Sequence, residues 1–521
     1  MGNTPTHLAN SLHLQPPPLS VTDMSEVLTF IESNLDRFRA ELYEFLRIPS
    51  ISAKTEHVED TRRSAQWLAN RMRDAGLEAE IIETPGHPVV LGEWRGAGET
   101  APTVLVYGHY DVQPPEPLEE WISPPFEPNE RDGRIYARGS ADDKGQLYMH
   151  IKALEALLTT HGTMPVNVVV LAEGEEETGS PNLVPFVEAN LDRLACDVVL
   201  ISDTSMFSEK LPSLGFSLRG LAYFELHVSG ARSDLHSGEY GGAITNPGNA
   251  LAHILATLHD EKGRVAIKGF YDDVVEWDSE TRTQIESLPH SDEQYREELG
   301  VTKLNGEDGF STLERLWIRP TCDVNGLLCG YTGEGAKTVL PNHAMAKVSF
   351  RLVPDQTDGK VRDLFEKHVQ RVTPEGVTIQ INELHGGRPW KASLEGRYFE
   401  AATQALEEAF GITPVLMGSG GSIPIVVEFE ERLSAPVMLV GFSLPGCNLH
   451  APNEWLPVEN FKAWHRGTRS FIPETSKLSP TSCTQPCTMT AALSKALALL
   501  MVSSYSREGL LSATIPAPAW T

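Results

Sequence analysis

Four short apolar runs, rich in β-branched residues and each followed by polar side chains, constrain this chain more than any other feature. They are TVLVYGHYD, which ends at His109 and Asp111; NVVVLAEGEEE, which ends at Glu175, Glu176 and Glu177; DVVLISD, which ends at Asp203; and PVMLVGF, some way before His450. Continuous apolar runs of this length are buried on both faces, and strands of that kind belong to parallel sheets covered by helices. Helical patterns accompany them. Ile31, Leu35, Phe38, Leu42 and Phe45 share one face of a helix that Pro49 stops, and Leu68 and Met72 lie on a second that ends at Gly76. Leu147, Ile151, Leu154 and Leu158 form the stripe of an amphipathic third. The expected fold class is α/β, a mixed, mostly parallel sheet flanked by helices, with ligands gathered at the carboxyl ends of its strands.

From about residue 217 the pattern becomes strict alternation. Ala222, Phe224, Leu226 and Val228 face one way, Ala344, Ala346, Val348, Phe350 and Leu352 repeat the pattern, and Val377, Ile379 and Ile381 form a third set. Half-exposed strands with a helix through Leu251, Ile254, Leu255 and Leu258 between them predict a smaller α+β unit inserted into the first. The expected organisation is a disordered extension at 1–23, a catalytic domain in two parts at 24–216 and 387–473, an inserted lid and dimerisation domain at 217–386, and a poorly ordered extension at 474–521. Pro16, Pro17 and Pro18 sit in the first extension; AALSKALALLMV, one short helix by its pattern, lies in the last with Cys483 and Cys487.

With 43 Lys and Arg against 71 Asp and Glu, the formal net charge is −28, which argues against nucleic-acid and anionic-membrane partners. Six cysteines in 521 residues are too sparse for a disulfide scaffold and fit a reducing compartment. No apolar run approaches the ~20 residues of a membrane span and no secretion signal is visible, so a cytoplasmic location is expected. The first six residues match the loose myristoylation pattern at Gly2, a match short enough to arise by chance.

The strand ends and the loops beside them supply His109, Asp111, Asp142, Asp143, the run Glu175 to Glu177, Asp203 and His450. Neither a Gly-x-Ser-x-Gly elbow nor a phosphate-binding Gly-x-x-x-x-Gly-Lys-Ser/Thr loop occurs. Carboxylates crowded at one sheet edge repel unless cations neutralise them, and imidazole with carboxylate suits zinc, with manganese or cobalt as alternatives. Taken singly each feature is ordinary: a lone His-x-Asp is usually a surface pair, and an acidic run is usually a solvated loop. Only the ordered set carries information.

That set lies within longer motifs: GHYDVQP from Gly108, GSADDKG from Gly139, EGEEETGS from Glu173, Ser202–Asp203, LHSGEYGG from Leu235, RLVP from Arg351, HGGRPW from His385, GGSIPI from Gly420 and HAPNE from His450. In this order they resemble the dinuclear metallopeptidases of the M20 family, and within it the carnosinase-like dipeptidase branch, over roughly residues 24 to 472. The resemblance implies a zinc-exopeptidase-like fold and two divalent metal ions per subunit. It implies that Asp142 bridges the metals, that His109 and Asp203 complete one site, and that Glu177 and His450 complete the other. Asp111 would orient His109, and Glu176 would be the general base for the attacking water. His236, reaching the active site of a partner subunit in a homodimer, would stabilise the oxyanion. Arg351, helped by Thr338, His385 and Ser422, would hold the free C-terminal carboxylate of a dipeptide or short peptide. Without the RLVP context, Arg351 reads as an exposed strand arginine.

Three other readings remain open at this level. An N-acyl amino acid deacylase would share His109, Asp142, Glu176 and Glu177; HGGRPW, GGSIPI and the segment around Trp121 resemble the dipeptidase branch instead. A two-metal phosphoesterase would want more cations than Lys144 near the metal loops. An inactive ligand-binding homologue would be expected to lack a ligand or Glu176, and each of those positions is occupied.

Overall fold

The computed structural model describes residues 21–458. The expected extension at 474–521 with its helix and cysteines, most of the N-terminal one with its three prolines and Gly2, and the end of the second catalytic part lie outside the described residues. The first helix, Val21–Leu46, begins within the span expected to be disordered. It stops ahead of Pro49, and its Val27, Ile31, Phe38, Leu42 and Phe45 are buried.

The apolar runs form the centre of a nine-stranded sheet. Thr103–His109 pairs in parallel with Asn167–Glu173 on one side and Val198–Ile201 on the other, and Val437–Leu439 continues in parallel beyond Val198–Ile201. The margins are antiparallel: Glu78–Ile82 and Val89–Trp94 at one edge, and Ser213–Leu218 with Trp390–Lys391 toward the other. The sheet is mixed, with a parallel centre. Side chains alternate across it, Val104, Val106, Val168 and Val170 packing with the helices Val21–Leu46 and Lys144–His161. Leu105, Tyr107, Val169 and Leu171 pack on the other face with Leu183–Ala189 and Ile425–Leu433. This two-sided burial is why these strands read as continuous apolar runs.

The helix Lys144–His161 departs from the amphipathic expectation. Each residue from Lys144 to Leu157 is buried, polar ones included. It lies between the sheet and the first helix, and its polar side chains find partners inside. Lys144 donates to the carbonyls of Phe45 and Ile48, at 3.1 and 2.7 Å, and Gln146 bonds Ala141 O and Phe442 N. His150 Nε2 sits 2.8 Å from Ser202 Oγ.

The alternating segments form a second, four-stranded antiparallel sheet, ordered Thr321–Cys329, His343–Leu352, Gly220–Ser229, Thr378–Gly387. Helices Pro247–Ala256 and Asp358–Val372 cover one face. Thr321–Cys329 was not anticipated: it is an edge strand interrupted by a bulge between Val324 and Gly326, with Val324, Leu327 and Leu328 exposed, so it lacks alternation. The chain passes between the sheets twice, at Leu218–Gly220 and Gly387–Trp390. The two passages touch: a Cβ on Gly220 would lie 2.6 Å from Gly387 O and Pro389 N, so the position admits only glycine.

Candidate metal centre and anion site

The parallel centre of the sheet delivers His109 from the end of Thr103–His109, Glu176 and Glu177 from the turn after Asn167–Glu173, and Asp203 from just beyond Val198–Ile201. Asp142 comes from the loop before Lys144–His161, and His450 from a loop between Val437–Leu439 and the short strand Trp455–Pro457. The five expected ligands meet. His109, Asp142 and Asp203 form one group of three donors; Asp142, Glu177 and His450 form another, the donor atoms of each lying within 4.8 Å of one another.

Asp142 divides its carboxylate between the two groups. Oδ1 is 3.0 Å from His109 Nε2 and Oδ2 is 3.0 Å from His450 Nε2. Asp203 Oδ2 lies 3.9 Å from His109 Nε2, and Glu177 Oε2 lies 3.3 Å from His450 Nε2. His109 is fully buried, whereas the His450 side chain is 57% exposed, so the second group forms the open side. His450 has φ of +59°, a left-handed conformation that costs on the order of 1 kcal/mol and is characteristic of functional turns.

Asp111 lies beneath the cluster, fully buried. Its Oδ1 is 3.3 Å from His109 Nδ1, and its own carbonyl oxygen is 3.2 Å from the same nitrogen. The carboxylate also accepts from the backbone N–H groups of Glu176 and Glu177, at 3.3 and 3.1 Å, and from Ser52 Oγ at 2.6 Å. Asp111 therefore ties the His109 ring to the turn carrying both glutamates, a wider role than orienting one imidazole.

The electrostatics show a surplus of negative charge. Burial, reinforced by Asp142, pushes Asp203 up to about 7, and the same two causes raise Glu177. Burial holds Glu176 well above the usual carboxylate range, although His109 opposes it. Asp142 goes the other way: burial acts to raise it, but the contacts with His109 and His450 outweigh that and keep it low. His450, bonded to Asp142 and Glu177, is pushed up to about 10. Among the described residues no lysine or arginine lies within ion-pair distance of Asp142, Glu177 or Asp203, whose charged neighbours are the two histidines. A donor set of two imidazoles and a shared carboxylate, with excess negative charge, fits divalent cations.

A second cluster joins the two sheets. Arg351, at the end of His343–Leu352, donates from Nη1 to Ser422 Oγ at 3.0 Å, and the Ser422 hydroxyl donates to Arg219 O at 2.5 Å. The one proton of Ser422 is thus committed, so its oxygen fixes the Arg351 fork. Arg219, 8% exposed, sits in the first passage between the sheets and bonds the carbonyls of Gly420 and Arg315. Burial and neighbouring Arg351 press it down to about 10. No carboxylate pairs with either guanidinium among the described residues, which leaves positive charge for an incoming anion.

His236 and Thr338 also come together, on a ribbon of Leu235–His236 against Val339–Leu340, where Ser237 N donates to Thr338 O at 3.0 Å. Both are exposed. His236 Nδ1 accepts from Gly238 N, a local contact; neither residue bonds the metal-centre side chains. His385 falls on the strand Thr378–Gly387, and its side chain lies outside the described residues. Sequence reasoning assigned no role to Gln113 or Arg219. Gln113 donates to Glu177 Oε2 from Nε2 at 2.7 Å and to Oε1 from its backbone at 3.2 Å. Its place two residues after Asp111 was the available signal; Arg219 offered none, because its neighbours are distant in sequence.

Comparison with known proteins places the chain in a family. The Cys-Gly metallodipeptidase dug1 of Schizosaccharomyces pombe is 31% identical over 473 residues, covering 88% of this chain and 99% of that protein. The solved structure of human carnosine dipeptidase 1 superposes with a TM-score of 0.76 at 27% identity, covering 94% of this chain and 99% of that one. The M20 family metallo-carboxypeptidase Sso-CP2 from Sulfolobus solfataricus gives 0.75 at 33% identity, covering 90% and 99%. The profile of peptidase family M20/M25/M40 matches residues 105–472. The family profile over most of the chain, with 31% identity to a relative covered almost completely, makes this protein a member of the M20 metallopeptidase family.

Proposed function

We propose that the protein hydrolyses the peptide bond of dipeptides, and of other short peptides with a free C-terminal carboxylate, using two divalent metal ions. The observation that carries the reading is the division of Asp142 between His109 and His450, since adjacent cation sites of this kind suit attack of water on a carbonyl. His109, Asp142 and Asp203 would hold one ion and Asp142, Glu177 and His450 the other, zinc first among candidates, then manganese or cobalt. When bound, the ions supply Lewis acidity that acidifies water and polarises the scissile carbonyl. Glu176 is the general base: on the turn beside Glu177, held by Asp111, it takes a proton from the attacking water and returns it to the leaving amine. Asp111 holds the turn that aims Glu176. Arg351, braced by Ser422, grips the substrate carboxylate.

His236 and Thr338 are assigned to the site of a partner subunit, with His236 donating to the developing oxyanion and Thr338 and His385 adding to carboxylate binding. Their exposure supports a homodimer through the inserted unit, as do the uncovered apolar residues Val324, Leu327 and Leu328 on its edge strand. Among the described residues no helix is long and apolar enough to cross a membrane.

A second reading, C-terminal trimming of longer peptides, is favoured by the likeness to a metallo-carboxypeptidase at 33% identity. A hydrolysis panel on protein loaded with zinc, manganese or cobalt separates the readings. Cys-Gly and β-Ala-His should be cleaved, and Glu176→Gln should lower kcat by about 10²–10⁴-fold while bound metal is unchanged. Release of residues from long peptides would establish the carboxypeptidase reading, and efficient N-acyl amino acid cleavage without dipeptide cleavage would establish a deacylase.

A further inference from the structure

Glu454 has no part in the chemistry above, yet each of its oxygens accepts two hydrogen bonds and it has no exposed surface. Its Oε2 accepts from Arg138 Nη1 and from Gly139 N, each at 2.8 Å. Its Oε1 accepts from Ala141 N at 2.8 Å and from Asp142 N at 3.1 Å. Three backbone N–H groups of the loop carrying the shared aspartate thus converge on one side chain, a cradle of the kind that elsewhere binds an anion from solution. Gly139 makes the convergence possible. Its φ is +84°, and a Cβ there would lie 2.7 Å from Val112 Cγ1.

The other end of the connection is His450, four residues earlier. The intervening loop turns through left-handed residues at His450 and Asn453. Asn453 fixes it by accepting from Ile122 N and donating to Glu120 O, both at 2.8 Å. Glu454 follows directly and ties the loop to Gly139–Asp142. We infer that Glu454 is a positioning residue that sets the His450 loop and the Asp142 loop in register, so that the two metal sites form together. This rests on the reading of His109, Asp142, Glu177, Asp203 and His450 as metal ligands.

The bonding makes a sharp substitution available. Each oxygen of Glu454 faces two donors, so a glutamine must turn its NH2 toward N–H groups whichever way the amide is flipped. Glu454→Gln keeps the volume and breaks the cradle. Metal affinity is measured by competition with a chromophoric chelator, using zinc on the full-length protein, alongside melting of the chelator-treated form. Folded Glu454→Gln should bind zinc about 10–100-fold more weakly at both sites, the loss typical of removing a residue that orients metal ligands. Glu454→Asp, which keeps the charge but retracts it, should fall between that variant and the parent, and carries the test if the glutamine variant does not fold. Unchanged zinc affinity in a folded variant, with only a lower melting temperature, overturns the positioning role while leaving the metal centre intact. Failure of the parent protein to bind zinc, manganese or cobalt overturns the ligand assignment, and this inference with it.

Discussion

Two clusters of charge lie against the helix Lys144–His161, and they are built on opposite rules. At its start, Asp142, Asp203, Glu176 and Glu177 are gathered with two histidines, no lysine or arginine among the described residues lies within ion-pair distance of Asp142, Asp203 or Glu177, and burial raises Asp203, Glu176 and Glu177. Further along, Glu41 and Glu155 meet Lys152 Nζ at 2.6 and 2.5 Å, and Arg37 reaches the same two carboxylates at 2.9 and 2.5 Å. Burial acts to raise Glu41 as well, but Lys152 and the Tyr148 hydroxyl outweigh it and bring it down to about 2. A cluster that balances its own charge holds helices together. One that leaves negative charge unbalanced is finished by cations from outside.

The largest test of this contrast removes the central charge from each cluster. Asp142→Asn should abolish tight binding at both metal sites and lower hydrolysis by about 10³-fold or more, with the far-ultraviolet circular dichroism unchanged. Lys152→Met should do the reverse: stability is lost in urea titration, by less than the ~3–5 kcal/mol of a fully unpaired buried charge because Arg37 still meets both carboxylates, while activity per folded molecule persists. Equal effects on binding and stability from both variants would dissolve the distinction.

Acid and base should act on the clusters in opposite directions. Glu41 sits at about 2 in the fold against an ordinary 4.5, so its contribution is full above 4.5 and lost as pH falls toward 2. Asp203, at about 7 in the metal-free fold against 3.8, contributes fully below 3.8 and loses that contribution as pH rises through 7. Chelator-treated protein should therefore weaken at both ends of a urea series from pH 3 to 8. Glu41→Gln should flatten the acid limb, and zinc should reverse the neutral one. A neutral limb that survives in Asp203→Asn would locate it elsewhere. The smallest effect is expected at Gln113, where alanine frees one carboxylate and should weaken metal binding by about 10-fold, read by the same chelator competition.

The candidate metal centre was legible as a cluster because parallel strands carry their chemistry at consecutive carboxyl ends, so burial and polarity alternate in the sequence itself. His109, Glu177 and Asp203 each close an apolar run. Asp142 and His450 have no such signal and were recovered through the motifs around them. The helix Lys144–His161 was misjudged because its leucine stripe matched a surface helix, and a sequence does not reveal that Lys144, Gln146 and Lys152 have partners up to about 300 residues away. Thr321–Cys329 was missed for the converse reason: an edge strand with a bulge buries too little to alternate. Arg219 was invisible because its meaning depends on Arg351 and Gly420, which lie more than a hundred residues further along the chain and meet it only in the fold.

The two passages between the sheets have a mechanical consequence. A unit tied by one strand can swivel about it, whereas two adjacent strands in van der Waals contact, as Gly220 is with Gly387 and Pro389, resist torsion, and Leu313 and Trp317 packed with Phe216 of the first sheet add a third tie. Arg351 on one side and Ser422 on the other bond each other across this junction. The proposed carboxylate grip of Arg351 and Ser422 would therefore keep its geometry, because it is built into the stiffest part of the molecule.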